Sequence, residues 1–452
     1  MRRIAIPAVC ALVLAVVCAA APAGEEISLT VYNNDLALVK DVREIELERG
    51  VQEIRFADVA ARIDPTSVHF KVVEGDEASV WEQNYRFDLA SASKILERYL
   101  ERDVEAITED ADLFAGKLVS FDNGTVVLDQ GRGTGPVLTI NREKISHLRF
   151  PALPSGLISK PTLVWKVGAE DAGTRLAEVT YLTSSVSWHA EYVGIVSDDD
   201  ATLDLAAWVS IDNRSGASFE DARLDLVAGD VHRTHAPKAM MRDFATEGIA
   251  AEAPEFEEEA FFEYYLYKLD ARSTIADREI KQLTFFPSTK VSVEKVFEFE
   301  PSMGSDVRVL LIFENSVEAG IGRALPAGKV RLYKADSAGD LQFIGEDRID
   351  HTPKDEDVRL YTGNAFDVKV ERKLMAVRRI SDRVREEDYE VSVRNHKETD
   401  AVVRLVERPR GYWTVLATTH EYEKMEAHRM EFPVPVEADG EVVVKYTIRY
   451  QR

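Results

Sequence analysis

The sequence has almost no cysteine. Its 452 residues include two, Cys10 and Cys18, and both lie inside an apolar run over residues 4–21. Without that run the chain has no thiol, which excludes disulfides, a cysteine nucleophile and cysteine-ligated zinc. Stability must then come from buried cores. Beyond residue 23 no apolar stretch is long enough to cross a bilayer as a helix. Positive charge is scarce as well: 56 lysines and arginines face 80 aspartates and glutamates, a formal net charge of −24. A field of that sign repels phosphate backbones, so nucleic acid is not an expected partner. Gly131-Arg132-Gly133-Thr134-Gly135-Pro136 lacks the lysine of a phosphate loop and precedes a strand pattern rather than a helix, so it reads as a hairpin.

What is present begins with Met1-Arg2-Arg3, the apolar run, and Ala21-Pro22-Ala23 ahead of Gly24-Glu25-Glu26. That order is a secretory signal peptide over residues 1–23, cleaved after Ala23. Val9 and Val17 precede the two cysteines where lipid attachment would need a small residue. The expectation is a mature chain in the periplasm or outside the cell, with no integral membrane span. Loss of Arg2 and Arg3 leaves 54 basic against 80 acidic residues, a net of −26.

Two-residue alternation dominates the rest, and the fold class expected is mainly β and multidomain. Residues 24–89 read as a small N-terminal β domain, with Asn33-Asn34-Asp35 and Arg49-Gly50 as turns. Over 90–155 the period first changes: Ile95, Leu96, Tyr99 and Leu100 form a helical stripe behind a serine cap. Five short strands follow, at 104–107, 116–121, 125–128, 137–140 and 145–150, with Asn123-Gly124 as a hairpin turn. A helix plus five strands resembles the Sm-like barrel. That family contacts RNA through an Asp-x-x-x-Asn motif and an Arg-Gly; here Val126 stands four residues after Asp122, and Asn141-Arg142-Glu143 replaces the second motif. The resemblance therefore implies a scaffold.

Residues 156–241 read as a β-sandwich. In 182–192, Leu182, Val186, Trp188, Ala190 and Tyr192 occupy even positions, and Thr183, Ser185, Ser187, His189 and Glu191 odd ones. A strand sends these sets to opposite faces. Residues 242–260 form an acidic linker or loop, without the glycine turn and ligand spacing of an EF-hand. Residues 261–452 read as a C-terminal antiparallel sandwich region whose clearest strand alternates Val442, Val444, Tyr446, Ile448 and Tyr450 with polar neighbours.

Three constellations carry potential chemistry. Ser187, His189 and Glu191 share a strand face at roughly 6.5–7 Å spacing, close enough for a relay. A regular strand offers neither an oxyanion hole nor a strained serine, so the expected role is a solvated or interface face. Asp230, His232 and His235 offer a carboxylate and two imidazoles, but without zincin spacing on a helix, and no metal is expected. Asp347, Arg348, Asp350 and His351 gather polar groups between strands; these are the candidate ligand-binding residues, with turn hydrogen bonding ahead of Pro353 as the alternative.

The stretch over 267–275, Tyr-Lys-Leu-Asp-Ala-Arg-Ser-Thr-Ile, together with Lys281-Gln282-Leu283 and Val293-Glu294-Lys295, resembles the mucoidy-inhibitor-related family, whose shared part is called domain of unknown function 4139. Residues 325–333, Leu-Pro-Ala-Gly-Lys-Val-Arg-Leu-Tyr, extend the match, as do Phe343-Ile344-Gly345-Glu346-Asp347 and Ile349-Asp350-His351-Thr352-Pro353. Upstream, Asp212-Asn213-Arg214-Ser215-Gly216, residues 226–231 and residues 31–64 are similar to its earlier portion. The coiled coil of longer members is missing between 70 and 160. The resemblance implies an exported β-rich protein without an established activity and supplies no catalytic residues. The expected function is a non-enzymatic cell-envelope β scaffold that binds a protein or glycan and needs no cofactor. The alternative is an extracytoplasmic hydrolase or metal-dependent enzyme with a site at domain junctions.

Overall fold

The computed structural model describes residues 26–74, 78–88, 92–131, 133–152, 154, 157–229, 231 and 256–451. Strands dominate, and among the described residues Ala92–Arg98 is the single α-helix. The signal-like leader lies outside the described residues, and so does most of the acidic stretch. The last part of that stretch does not stay a loop: Phe256–Phe261 is a strand paired antiparallel with Tyr264–Leu269. Three consecutive glutamates, 257–259, hide the strand in the sequence, and pairing with Tyr264–Leu269 overrides their charge.

The chain divides into two compact units, with residues 39–59 and 65–181 in the smaller and 28–38, 60–64 and 182–452 in the larger. In the smaller, Thr162–Ala169 lies between Gly50–Ala57 and Ala78–Arg86, antiparallel to both. Trp165 is fully buried there, edge-on to Phe56 at 5.9 Å and tilted on Phe70 at 5.0 Å, and its indole N–H donates to Gln83 at 2.9 Å. The helix precedes a five-stranded antiparallel sheet, ordered Ile145–Arg149, Asp103–Thr108, Leu113–Phe121, Thr125–Asp129, Val137–Asn141. Leu96 and Tyr99 enter one core with Val104, Leu118, Val126, Leu128 and Ile140. The helical stripe read from the sequence is thus the lid of a small β core. Asp122 accepts from the backbone N–H groups of Gly124 and Thr125, both at 2.7 Å. Those two N–H groups hold its carboxyl below the ordinary range, and the residue serves the hairpin turn.

The larger unit contains two layered arrangements. In the first, a five-stranded sheet runs Glu279–Ser292, Thr202–Asn213, Val186–Val196, Gly328–Ala335, Leu341–Ile349. Trp188 and Tyr192 point inward from it. The Trp188 indole donates to Val227 O at 3.1 Å and stands edge-on to Tyr267 at 6.2 Å, so side chains of Phe219–Ala228 and Tyr264–Leu269 form the facing layer. Segments on both sides of residue 241 therefore share one core. The links are antiparallel, Thr202–Asn213 with Glu279–Ser292 and Phe219–Ala228 with Tyr264–Leu269, and also parallel, Val186–Val196 with Gly328–Ala335. Gly328 permits the parallel one, because a Cβ there would meet Ala190 O at 2.3 Å.

In the second arrangement a six-stranded sheet, ordered Asp357–Asn364, Arg308–Glu314, Glu294–Phe299, Ala401–Glu407, Arg429–Val436, Glu423–Glu426, packs on a four-stranded one. The latter runs Val368–Arg379, Val384–Asn395, Glu441–Gln451, Tyr412–Thr418. Phe299, Val403, Leu405, Phe432, Val444, Tyr446 and Ile448 share the core between them. Buried asparagines latch strand ends in both arrangements. Asn213 Nδ2 lies 2.9, 3.2 and 3.1 Å from the carbonyls of Ala217, Ile275 and Ala276, and its Oδ1 accepts from Ser215 N and Oγ. Asn395 does the same for Thr399, Val436 and Glu437, and accepts from Lys397 N.

Candidate functional site

The row Ser187, His189, Glu191 sits on the outer pleat of a regular strand, with Trp188, Ala190 and Tyr192 buried on the other side. Glu191 is the hub. It accepts from Ser210 Oγ at 3.0 Å and Gln282 Nε2 at 2.9 Å, and it lies 3.7 Å from His189 and 3.6 Å from Arg331. His189 beside it, then the Ser210 hydroxyl and the Arg331 guanidinium, outweigh its partial burial and bring its carboxyl from 4.5 down to about 2. A carboxylate held that low is a weak base. Ser187 registers opposite Asp212, and among the described residues no hydrogen bond joins it to His189. The arrangement is a polar belt across the sheet rather than a relay.

The four candidate ligand-binding residues are brought near one strand end. Asp347 is spent on backbone: its two oxygens accept from Arg348 N at 2.8 Å and Tyr361 N at 2.7 Å. His351 Nδ1 accepts from Ala327 N at 3.1 Å, and the carbonyl of Asp350 accepts from Thr352 Oγ1. Arg348 is exposed opposite Lys329. Asp347 and His351 thus hold backbone of neighbouring segments, and Asp350 takes part in the turn ahead of Pro353. Asp230, His232 and His235 lie outside the described residues; among the described residues no cluster of His, Cys, Asp or Glu could hold a metal ion.

A different site stands out, and it was missed in the sequence. Strand Glu294–Phe299 alternates so that Phe297 and Phe299 turn toward the sandwich core while Glu298, and Glu300 just beyond, take the other face. Register sets Arg308 and Arg404 opposite Glu298 on its two neighbours. Glu298 and Glu300 are only 3% and 7% exposed, covered by arginine side chains. Arg359 Nη2 donates to Glu298 at 2.7 Å, with Arg308 at 3.6 Å and Arg429 at 3.9 Å. Arg408 Nε donates to Glu300 at 2.7 Å, and Ser302 Oγ donates to the same carboxylate. Burial alone would raise the Glu300 carboxyl, but Arg408, Ser302 and Arg429 hold it below the ordinary range. These residues and Met303 line a concavity of about 380 Å³. The Phe-Glu-Phe-Glu alternation at 297–300 was the available signal; its arginines come from four other segments.

Comparison of the sequence with protein-family models and with curated proteins finds no match in either. The site is therefore read from its own chemistry. Its carboxylates are paired and its arginines fully ionised, so it presents charge and hydrogen-bond donors but no group poised to take a proton.

Proposed function

We propose that this chain is an exported, non-enzymatic β scaffold of the cell envelope that binds a protein or a glycan. Export is supported by the leader over residues 1–23 and by the motifs similar to the mucoidy-inhibitor-related family. The observation that carries the binding reading is the state of the ionisable groups. Glu191 and Glu300, carboxylates in the two polar clusters described above, are stabilised in their charged forms by cations and hydroxyls. A general base at neutral pH needs the opposite adjustment. The hydrolase alternative therefore lacks its base at both places, and Ser187 lies on a plain strand without an oxyanion hole.

The test is fractionation with intact-mass measurement, followed by co-sedimentation of purified protein with envelope material. The expected product starts at Gly24, is periplasmic or secreted, and pellets with envelope glycan or protein. A cytoplasmic product that retains residues 1–23, or hydrolytic turnover abolished by Ser187→Ala, would overturn the reading.

A further inference from the structure

The concavity at Glu298 and Glu300 is a patch of positive charge in an acidic protein. Its lining holds Arg308, Arg359, Arg408 and Arg429 against those two carboxylates, a formal charge of +2 that Glu426, in register with Arg429 and acting on Arg408, lowers to +1. Arg404 and Glu431 beside it, 3.7 Å apart, cancel each other. Glu294, paired to Arg404 at 3.2 Å, sits farther out and is largely exposed. The whole chain is −24.

Several features look built for a ligand rather than for the fold. Arg359 and Arg408 each commit one N–H to the floor carboxylates, and a guanidinium carries five donors. Arg308 is fixed by stacking at 4.7 Å over the Tyr361 ring. Arg429 Nε is buried and finds no hydrogen-bond acceptor among the described residues, although its Nη2 reaches Glu431 at 2.5 Å. A buried orphan donor costs about 1–3 kcal/mol unless something meets it. The floor carboxylates also hold the forks in place before any ligand arrives, which lowers the entropic cost of binding. Met303, exposed on the rim, adds one apolar wall.

We propose that this concavity binds a small ligand carrying two negative charges on oxygen, either a phosphate monoester or a pair of carboxylates. The shared chemistry is planar, bidentate recognition by arginine forks. A volume near the low end of the roughly 300–1,000 Å³ typical of ligand pockets fits one such group, not a length of polymer. This deepens the binding reading and rests on it, since the site is taken to hold its ligand and not to turn it over.

The test is isothermal titration of the mature chain with inorganic phosphate, sulfate and malonate, at ionic strength matched with chloride. Saturable one-to-one binding of at least one dianion is expected. Phosphate or sulfate, both tetrahedral dianions, without malonate assigns a phosphate monoester, and the reverse assigns a dicarboxylate. Arg408→Gln and Arg359→Lys should each weaken binding about tenfold or more, the worth of one charge-assisted bond; the lysine keeps the charge facing Glu298 and removes the fork. Should either variant fold poorly, phenylglyoxal labelling of the wild type replaces it, with Arg359 and Arg408 protected by the bound anion. No saturable binding by any probe, binding indifferent to both folded variants, or labelling unchanged by anion overturns the proposal. Envelope co-sedimentation is measured separately, so failure here leaves that reading standing.

Discussion

Replacing Asn213 with alanine is expected to destabilise the larger unit by about 3–5 kcal/mol. The side chain is completely buried, and its amide serves the carbonyls of Ala217, Ile275 and Ala276 while its oxygen serves Ser215 N and Oγ. Truncation strands one buried N–H and at least two carbonyls. At about 1–3 kcal/mol for each unpaired group, less whatever a water entering the small void recovers, the sum falls in that range. Asn213→Asp is the sharper probe. It keeps an acceptor for Ser215 but turns a second oxygen and a buried charge toward three carbonyl oxygens. It should therefore be worse than alanine at pH 7 and should recover as acid protonates the carboxyl and restores a donor. Urea unfolding, with hydrogen exchange in Thr202–Asn213 to localise the loss, reads both effects in the unit concerned. A loss below about 1 kcal/mol for alanine, or an aspartate variant more stable than alanine at pH 7, would refute the latch argument.

Two further outcomes follow from charged clusters. Glu191 titrates at about 2 in the folded chain against 4.5 ordinarily, so its stabilising contribution is complete above about pH 4.5 and is lost as pH falls toward 2. Some 2.5 pH units correspond to ~3 kcal/mol, and one-fifth exposure of the side chain discounts this to about 1–3 kcal/mol. Glu191→Gln should be less stable at pH 7 yet lose less between pH 5 and 2.5; parallel acid-denaturation curves for the two proteins would contradict this. In the second sandwich, Arg372 makes a bidentate pair with Glu407 at 2.6 and 3.1 Å and stacks 3.9 Å over Tyr389. Arg372→Met leaves Glu407 without its cation and should cost about 2–4 kcal/mol by urea unfolding, with part of the loss recovered in Arg372→Met/Glu407→Met. A double variant no more stable than the single one would show that the charge pairing is not what matters there.

Much of the local structure was legible because pleat alternation is a one-dimensional signal. Val186, Trp188, Ala190 and Tyr192 face inward as the spacing predicts, the stripe at 95–100 is the helix of a small core, and Asn123-Gly124 sits in the hairpin between two strands. The alternation does not run back to 182: Leu182 and Thr183 end the preceding strand, Gly173–Thr183, where Thr183 is buried and Leu182 only half-buried, because a bend at Ser184-Ser185 resets the pleat. Pairing across long separations left no such trace. The sequence predicts antiparallel sandwiches, and most pairs are antiparallel. Val186–Val196 nevertheless joins Gly328–Ala335 in parallel, as Glu294–Phe299 joins Ala401–Glu407. Those pairings depend on complementary burial between distant segments, and the first ties residues before 241 to residues after 260. Nor does the sequence mark Asn213 as a latch, because its amide's partners include Ile275 and Ala276, some sixty residues on.

The arginine-rimmed concavity shows why a charge census misleads about sites. Global acidity argues against anionic ligands, and at long range it does so correctly, but salt screens exposed charges beyond about 8–10 Å. Within that radius the local sum decides, and register alone sets it: Glu298 meets an arginine on each flanking strand. The floor carboxylates halve the positive charge, which looks like a loss for an anion site. An added charge at 4 Å is worth about 1–4 kcal/mol in surroundings between water and a protein surface, whereas four unanchored arginines would each surrender up to ~2 kcal/mol of rotamer entropy on closing around a ligand. Anchoring four forks with two buried glutamates is thus the better arrangement for holding an oxyanion. The acidic exterior then excludes large polyanions while leaving room for a small one.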